Sequence, residues 1–349
     1  MDYIALGCMS GTSLDGIDLS LIRSDGETYS EEIMNYFHPY SKELKNNLHQ
    51  VIQRGYLTDP KITSQLSIEY SRTIQQFIDS NKKYEVNVIG IHGQTLFHDD
   101  KTKISIQLFD KKLNLNNSIP VICNFRKNDL LNGGFGAPII PIYHQLIHQK
   151  LNNKNSVFVN IGGVTNITII NQEGIFAGDT SFGNALVNDL IKKKFNFEMD
   201  EDGYISGQGL VNESIIDLIL SDPFFSRTLP KTLDRNYFHK YLEQLQAMDK
   251  TENIINSLLK IIPLSIEKLI FDTDPTIILC GGGRKNLTLQ KLFRQHFKDV
   301  HSIDEYGLDG DYIESQGMAL LSIRFLIKKK STFTSTTGIK REVYLGERC

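Results

Sequence analysis

The residues best placed to do chemistry are one carboxylate and several glycine-bounded turns. Asp179 stands in Gly178-Asp-Thr-Ser-Phe-Gly-Asn184, at the carboxyl end of a predicted strand and just before a predicted helix. Ligands bind at that end of open α/β sheets. A carboxylate there can take a proton from a water or hydroxyl within hydrogen-bond reach; the plain alternative is that it caps the following helix. Gly7-Cys-Met-Ser-Gly-Thr-Ser-Leu-Asp-Gly-Ile-Asp18 joins two strands through a small, hydroxyl-rich turn. Backbone N–H groups in such a turn can approach phosphate oxygens closely, and Ser10, Thr12 and Ser13 add donors. The glycine spacing and the lack of lysine exclude a Walker A loop, and the absence of G-x-S-x-G excludes a nucleophile elbow. An ordinary glycine hairpin is the alternative.

Asn160-Ile-Gly-Gly-Val-Thr-Asn166 occupies the matching place in the second half of the chain. Two such hairpins opening two successive domains suggest a paired phosphate clamp for a nucleotide, with Gly162, Gly163 and Asn166 in the second. Gly281, Gly282 and Gly283 follow an apolar strand. They expose flat backbone that can pack on adenine or ribose, or they form a strand-to-helix turn. They do not make G-x-G-x-x-G, so the dinucleotide fingerprint is missing. His92-Gly-Gln-Thr-x-x-His98 lacks the H-E-x-x-H zinc spacing, which leaves Gln94 and Thr95 as polar substrate contacts. Arg126, in Asn124-Phe-Arg126, can pair bidentately with a carboxylate or phosphate.

The elements that must carry these residues read as two similar halves. Strands are predicted over 3–8, 17–22 and 32–40 as a β-meander with glycines at its turns. Helices follow over 41–54 and 60–80, the second starting at Asp59-Pro60. Further strands are expected at 86–91, 104–109 and 120–125. Gly133, Gly134, Gly136 and Ala137-Pro138 form the best candidate linker. The second half opens with a helix near 139–150. Strands at 156–161, 165–170 and 174–179 then make a second meander, and helices fill most of 208–270. The last elements are a strand at 276–280, a helix from about 286, and a long helix over about 312–329.

The chain has 349 residues, which predicts two domains. Its 38 basic and 41 acidic side chains nearly cancel, which argues against a nucleic-acid or anionic-membrane partner. No apolar run reaches the ~18 residues a membrane helix needs, and the start of the chain reads as a strand, not a signal peptide. The four cysteines are far apart in sequence, so neither a disulfide framework nor a zinc site is expected, and a cytoplasmic setting is the default.

Taken in order, MSGTSLDGID, HGQT-x-x-H, NFR with GGFGAP, NIGGVTNI, DT-x-x-GN and CGGGRKN resemble the anhydro-N-acetylmuramic acid kinase family. The likeness continues in Asp200-Glu-Asp-Gly203, Pro230-Lys-Thr232 with Arg235, Ile313-Glu314 and Thr336-Thr-Gly338. It therefore spans essentially the whole chain. The resemblance implies an α/β fold of two actin-like (ribonuclease H-like) domains, each a mixed sheet with flanking helices, around an ATP cleft. It implies a domain of residues 1–125 plus 328–349 carrying the first phosphate loop. Residues 126–327 would carry the second loop, the catalytic Asp and the adenosine turn.

The implied activity is that of an ATP-dependent kinase. It opens 1,6-anhydro-N-acetylmuramic acid with water and phosphorylates O6, giving N-acetylmuramic acid 6-phosphate in peptidoglycan recycling. The implied cofactors are ATP and Mg²⁺, and the implied assembly is a homodimer. Carried over by residue, Gly11, Thr12, Ser13, Leu14, Asp15, Gly16, Ile17 and Asp18 match the first phosphate loop. Asp179 matches the general base. Gln94, Thr95 and Arg126 match positions near the sugar and its lactyl carboxylate, and Glu314 matches an acid of the family pattern. Asp15 or Asp18 would serve Mg²⁺ through water, since Met9 stands where many actin-like proteins carry an Asp.

Two departures bear on specificity. Ser181 and Phe182 replace the family's Gly-Pro, and the bulky Phe182 is expected to change the floor of the site. Ser315-Gln316-Gly317-Met318 stands where small residues usually follow the late Glu. Two other readings stay open: a related kinase acting on a free sugar hydroxyl, and a non-catalytic ATP-binding regulator.

Overall fold

The alternation of Ile17, Leu19 and Leu21 against more polar neighbours does build a strand, and both expected meanders form. The computed structural model describes residues 1–349 apart from 12, 13, 54–58, 100, 101, 110–112, 114, 116, 117, 152 and 271–273. In chain order the first elements are β1 (Tyr3–Ser10), β2 (Gly16–Ser24), β3 (Ser30–Pro39), α1 (Lys42–Gln53), α2 (Pro60–Ser80), β4 (Val88–Asp99), β5 (Ile104–Leu108), β6 (Val121–Cys123), α3 (Lys127–Leu131) and α4 (Pro141–Leu151). Next come β7 (Ser156–Ile161), β8 (Val164–Asn171), β9 (Gly174–Phe182), α5 (Asn184–Phe195), α6 (Glu213–Leu220), α7 (Leu242–Met248), α8 (Thr251–Glu267), β10 (Thr276–Cys280), α9 (Leu287–His296) and β11 (Val300–Ser302). The chain ends with α10 (Ile313–Leu326), α11 (Thr334–Thr337) and β12 (Glu347–Arg348).

These elements form two units, Met1–Lys150 with Tyr312–Cys349, and Leu151–Asp311. In the first, the sheet runs β12-β6-β4-β1-β2-β3, with β5 folded back on β4. In the second it runs β11-β10-β7-β8-β9. Both place an antiparallel meander beside two parallel strands: β4 on β1 and β6 on β4 in one, β10 on β7 and β11 on β10 in the other. The two units thus repeat one mixed-sheet topology.

Helix α2 begins where Asp59-Pro60 predicts. The Asp59 carboxylate accepts from Lys61 N at 2.9 Å and Ile62 N at 3.1 Å, a cap worth about 1 kcal/mol. Inside the first unit, Leu6, Leu19, Leu21, Ile89 and Ile91 of the sheet share one core with Leu66, Tyr70 and Ile74 of α2. In the second unit, Val157, Val159, Ile277 and Leu279 share a core with Ile254, Leu258, Ile261 and Ile262 of α8.

The unit boundary differs from the sequence reading, which put 126–327 in the second domain. Helix α10 instead packs onto β1 and β4 through two glycines. A Cβ on Gly7 would lie 1.8 Å from the Ser315 carbonyl oxygen, and one on Gly90 would lie 2.5 Å from that of Met318. The Ser20 and Ser315 hydroxyls meet at 2.6 Å, and Gln316 bonds Tyr143 and Glu32. Gln316 and Ser315 are thus absorbed by polar partners.

The glycine stretch 133–138 is not the linker. Gly134 and Gly136 donate to the Asp129 carbonyl and carboxylate at 2.9 and 2.7 Å, and Phe135 donates to the Thr337 carbonyl. It is a folded loop of the first unit.

One further expectation changes. Cys123 and Cys349 form a disulfide, because β12 returns antiparallel to β6 and brings residues 226 apart together. Cys8 and Cys280 are buried free thiols. Helices do fill most of 208–270, with breaks at Pro223 and Pro230, where residues 231 and 233 bond to Asp179 of β9.

Candidate active site

In the second unit, strand pairing aligns the predicted residues into a row. Cys280 of β10 pairs Asn160 of β7, Asn160 pairs Asn166 of β8, and Asn166 pairs Asp179 of β9. Paired residues share a face of a sheet, so four strands present this row together. A bulge between Thr165 and Asn166 sets the last step of the register. Strand β9 continues to Phe182, so Asp179 lies within a strand. The helix after it starts at Asn184, and its cap position, Gly183, makes no side-chain cap. Asp179 is therefore not the helix cap.

Asp179 is held instead by the crossing segment 229–233. Its N–H donates to the Lys231 carbonyl at 2.8 Å, and its Oδ2 accepts from Leu233 N–H at 2.7 Å. A Cβ on Gly178 would lie 2.9 Å from the Lys231 backbone, so glycine there permits this close crossing. Lys231 is itself 1% exposed, donates to the Phe224 carbonyl at 3.2 Å and sits 4.4 Å from that ring's centroid. Burial, then the charge of Arg227, pushes its pKa down to about 8, with Asp179 opposing. Sequence spacing could not join Lys231 to Asp179. The two prolines that break the helical pattern were the available signal.

The glycine turns lie at the ends of β7 and β10. The Gly162 and Gly163 carbonyls accept from Asn184, Gly183 and Ala185 N–H, so this turn seats the start of α5. A Cβ on Gly162 would meet only the Val164 carbonyl, at 3.7 Å, and one on Gly282 would meet nothing within 4 Å. Backbone at both places is open to a ligand. Gly281 has φ +71° and packs against Asn160, so the adenosine-type turn and the second phosphate-type turn are neighbours.

Arg284 fixes this turn. It donates to the Gly281 carbonyl at 3.1 Å, to Asp304 at 2.7 Å and to Asp311 at 2.6 Å. Burial opposes its charge, but the Asp304 and Asp311 bonds carry its pKa above the ordinary range. Asn286 donates to Asp200, which joins the CGGGRKN and DEDG motifs.

In the first unit, Thr12 and Ser13 lie outside the described residues. Leu14 N–H donates to the Gly11 carbonyl at 3.3 Å, and Leu14 is buried at φ 58°. Asp15 is exposed and its carbonyl accepts from Tyr40 N–H. Gly16 and Ile17 are buried at the start of β2, and Asp18 faces Met9 across the hairpin. Ser10 is no phosphate donor: it is fully buried, with its hydroxyl against Tyr40 and Tyr70 at 2.8 and 2.5 Å.

HGQT lies inside β4, not in a loop. Gln94 is fully buried and donates to the Gly11 carbonyl at 3.0 Å, so it braces the first turn; Thr95 is half-buried. Arg126 precedes α3 and donates to His92 and to the Gly136 carbonyl. Glu314 lies in the first turn of α10. Phe182 does not form a site floor. It is 1% exposed and stacks edge-on against Phe238, with ring centroids 5.2 Å apart.

Among the described residues, no three His, Cys, Asp or Glu side chains converge as a metal site. No described helix is long and apolar enough to cross a membrane.

The family model described as anhydro-N-acetylmuramic acid kinase matches residues 3–348. A protein of that name from Pelagibacter ubique is 36% identical over 97% of this chain and 96% of its own. One from Gluconobacter oxydans is 32% identical over 98% of each. Among solved structures, a ROK family glucokinase from Streptomyces griseus has a TM-score of 0.45 and 11% identity, covering 91% of this chain and 99% of its own. Component A of Acidaminococcus fermentans (R)-2-hydroxyglutaryl-CoA dehydratase has a TM-score of 0.47 and 10% identity, covering 93% and 100%.

Proposed function

The chain belongs to the anhydro-N-acetylmuramic acid kinase family, and from that premise we propose what each side chain does. The reaction opens the 1,6-anhydro bridge of anhydro-N-acetylmuramic acid with water and transfers the γ-phosphoryl group of ATP to O6. Asp179 is the general base. It takes the proton of a water as that water attacks C1. The C1–O6 bond breaks, and O6 carries its electron pair to phosphorus in line while the β–γ bridging oxygen leaves with ADP. Asp179 then returns its proton to solvent.

The observation that carries this assignment is the Cys280–Asn160–Asn166–Asp179 row, with the Leu233 amide on one carboxylate oxygen. That amide fixes the carboxylate's orientation for a water on its other oxygen. Positioning of this kind is a large part of what phosphoryl transfer requires of a protein.

ATP is the phosphoryl donor. The open backbone at Gly162 and Gly282 fits it, with Gly162, Gly163 and Asn166 for phosphates and Gly281–Gly283 for adenosine. The first turn, Gly11–Asp18, supplies further phosphate contacts. Mg²⁺ would neutralise phosphate charge. Asp15 and Asp18 fit a role through water, because Mg²⁺ takes few protein ligands. Arg126 receives the lactyl carboxylate, Thr95 and Glu314 complete the substrate set, and Gln94 backs the first turn from beneath through the Gly11 carbonyl. The resemblance extends the proposal to a cytoplasmic homodimer. Phe182, lying in the core, gives no ground for a different acceptor.

The test is Asp179→Asn, assayed with ATP, Mg²⁺ and ¹⁸O-water. We expect kcat to fall by about 10²–10⁴ with the sugar KM little changed. The wild-type product should carry label at C1 and phosphate at O6. A variant that turns over at the wild-type rate removes Asp179 as base, and unlabelled sugar phosphate removes coupled hydrolysis.

A further inference from the structure

His92 is used by nothing above, yet it is 1% exposed and makes two directed bonds. Its Nδ1 lies 2.9 Å from the Gly93 carbonyl, and its Nε2 lies 3.0 Å from Arg126 Nε. A carbonyl only accepts and a guanidinium only donates. Nδ1 therefore carries the ring proton, and Nε2 accepts from Arg126. Burial, then the charge of Arg126, holds the His92 pKa at about 3, so the ring is neutral and this tautomer persists.

The far edge of Arg126 is fixed by a second chain of bonds. Nη1 donates to the Gly136 carbonyl at 2.9 Å. Gly136 has φ +74°, and its N–H donates to Asp129 Oδ2 at 2.7 Å. The other oxygen of the fully buried Asp129 accepts from the Thr337 hydroxyl at 2.6 Å. The guanidinium is thus gripped on two sides by neutral acceptors. These two bonds set the plane in which the guanidinium meets a carboxylate.

We propose that His92 is a positioning residue that, with the Gly136 carbonyl, aims Arg126 at the carboxylate of the sugar's lactyl group. This rests on the reading that Arg126 receives that carboxylate. The role is to recognise one substituent, so its loss should depend on whether the substituent is present.

The experiment uses the full chain and two sugars: anhydro-N-acetylmuramic acid, and 1,6-anhydro-N-acetylglucosamine, which lacks the lactyl group. The second is measured as a substrate or as a competitive inhibitor of the first. His92→Phe should raise KM for the lactyl sugar about tenfold or more. Its kcat and ATP KM should stay within about twofold, and affinity for the lactyl-free sugar should not change. His92→Gln, which keeps an acceptor, should recover part of the loss and serves if the Phe variant folds poorly. Adding His92→Phe to Arg126→Met should cost little more than Arg126→Met alone.

Equal weakening of both sugars by the His92 variants would mean that His92 merely supports the fold, and overturns the proposal. So does an unchanged His92→Phe beside a carboxylate-selective Arg126→Met, and in that case the reading of Arg126 stands. An Arg126→Met that weakens both sugars alike removes the reading itself, and the proposal with it.

Discussion

At the scale of single residues, burial decides what a polar or aromatic group does. Lys231 is the clearest case. Its charge is disfavoured by burial and by Arg227, so it binds its proton less tightly folded, with a pKa of about 8, than at the ordinary 10.5. Between these values the unfolded chain holds more protons, so stability rises as pH rises through that window. Urea midpoints from pH 7 to 10 should therefore climb in the wild type and climb less in Lys231→Met. Phe182 makes the opposite point. It replaces a family proline beside the catalytic candidate, yet its ring packs on Phe238. Phe182→Ala should cost about 3 kcal/mol or more in urea unfolding. The sugar KM of the folded enzyme should not move; a large KM change would return Phe182 to the site.

At the scale of elements, glycines show two different reasons for lacking a side chain. Gly7 lets α10 lie on β1, and Gly282 leaves backbone bare. Gly7→Ala forces a Cβ into the Ser315 carbonyl and should destabilise by more than about 2 kcal/mol. Gly282→Ala meets nothing and should leave stability within about 0.5 kcal/mol. The same variant should raise the ATP KM severalfold if nucleotide covers that turn. Thermal unfolding and steady-state kinetics on the pair separate packing from binding. Most elements were legible: the meanders, the Asp59-Pro60 helix start and the strand into Gly281–Gly283 follow from alternation, capping and glycine placement. The extension of β4 through HGQT was not legible, because Gly93, Gln94 and Thr95 break the apolar run that marks 86–91, although β5 pairs it as the next strand of a hairpin. The three-residue β11 is too short for periodicity to show.

At the scale of the whole molecule, the same strand order appears twice, but the charge response is uneven. His92, His98 and His144 all belong to the first unit, and burial above all lowers each pKa from 6.5 to about 3. Between those values the unfolded chain holds more protons, so stability falls as pH falls below about 6.5. The slope should approach an uptake of about three protons on unfolding. Urea midpoints at pH 7 and pH 5 check the sign. Hydrogen exchange should show the first unit opening ahead of the second in acid; the reverse order would assign acid sensitivity elsewhere.

Motif order and spacing in the chain were enough to determine its family and two-unit α/β class, and to nominate a base for testing. Those signals are local: glycine turns, apolar alternation and short polar strings read without knowing what they touch. Tertiary structure decided the rest, because each remaining feature is a contact between distant segments. It joined Asp129 to Thr337, Asp200 to Asn286 and Asp179 to Leu233, so motifs scattered along the chain became paired supports. It moved α10 into the first unit through Gly7 and Gly90, and closed Cys123 on Cys349 across a sheet edge. It turned Ser10 and Phe182 away from ligand roles and gave Arg126 a neutral histidine to lean on. A residue's type sets what it can bond; only the fold sets which partner reaches it first.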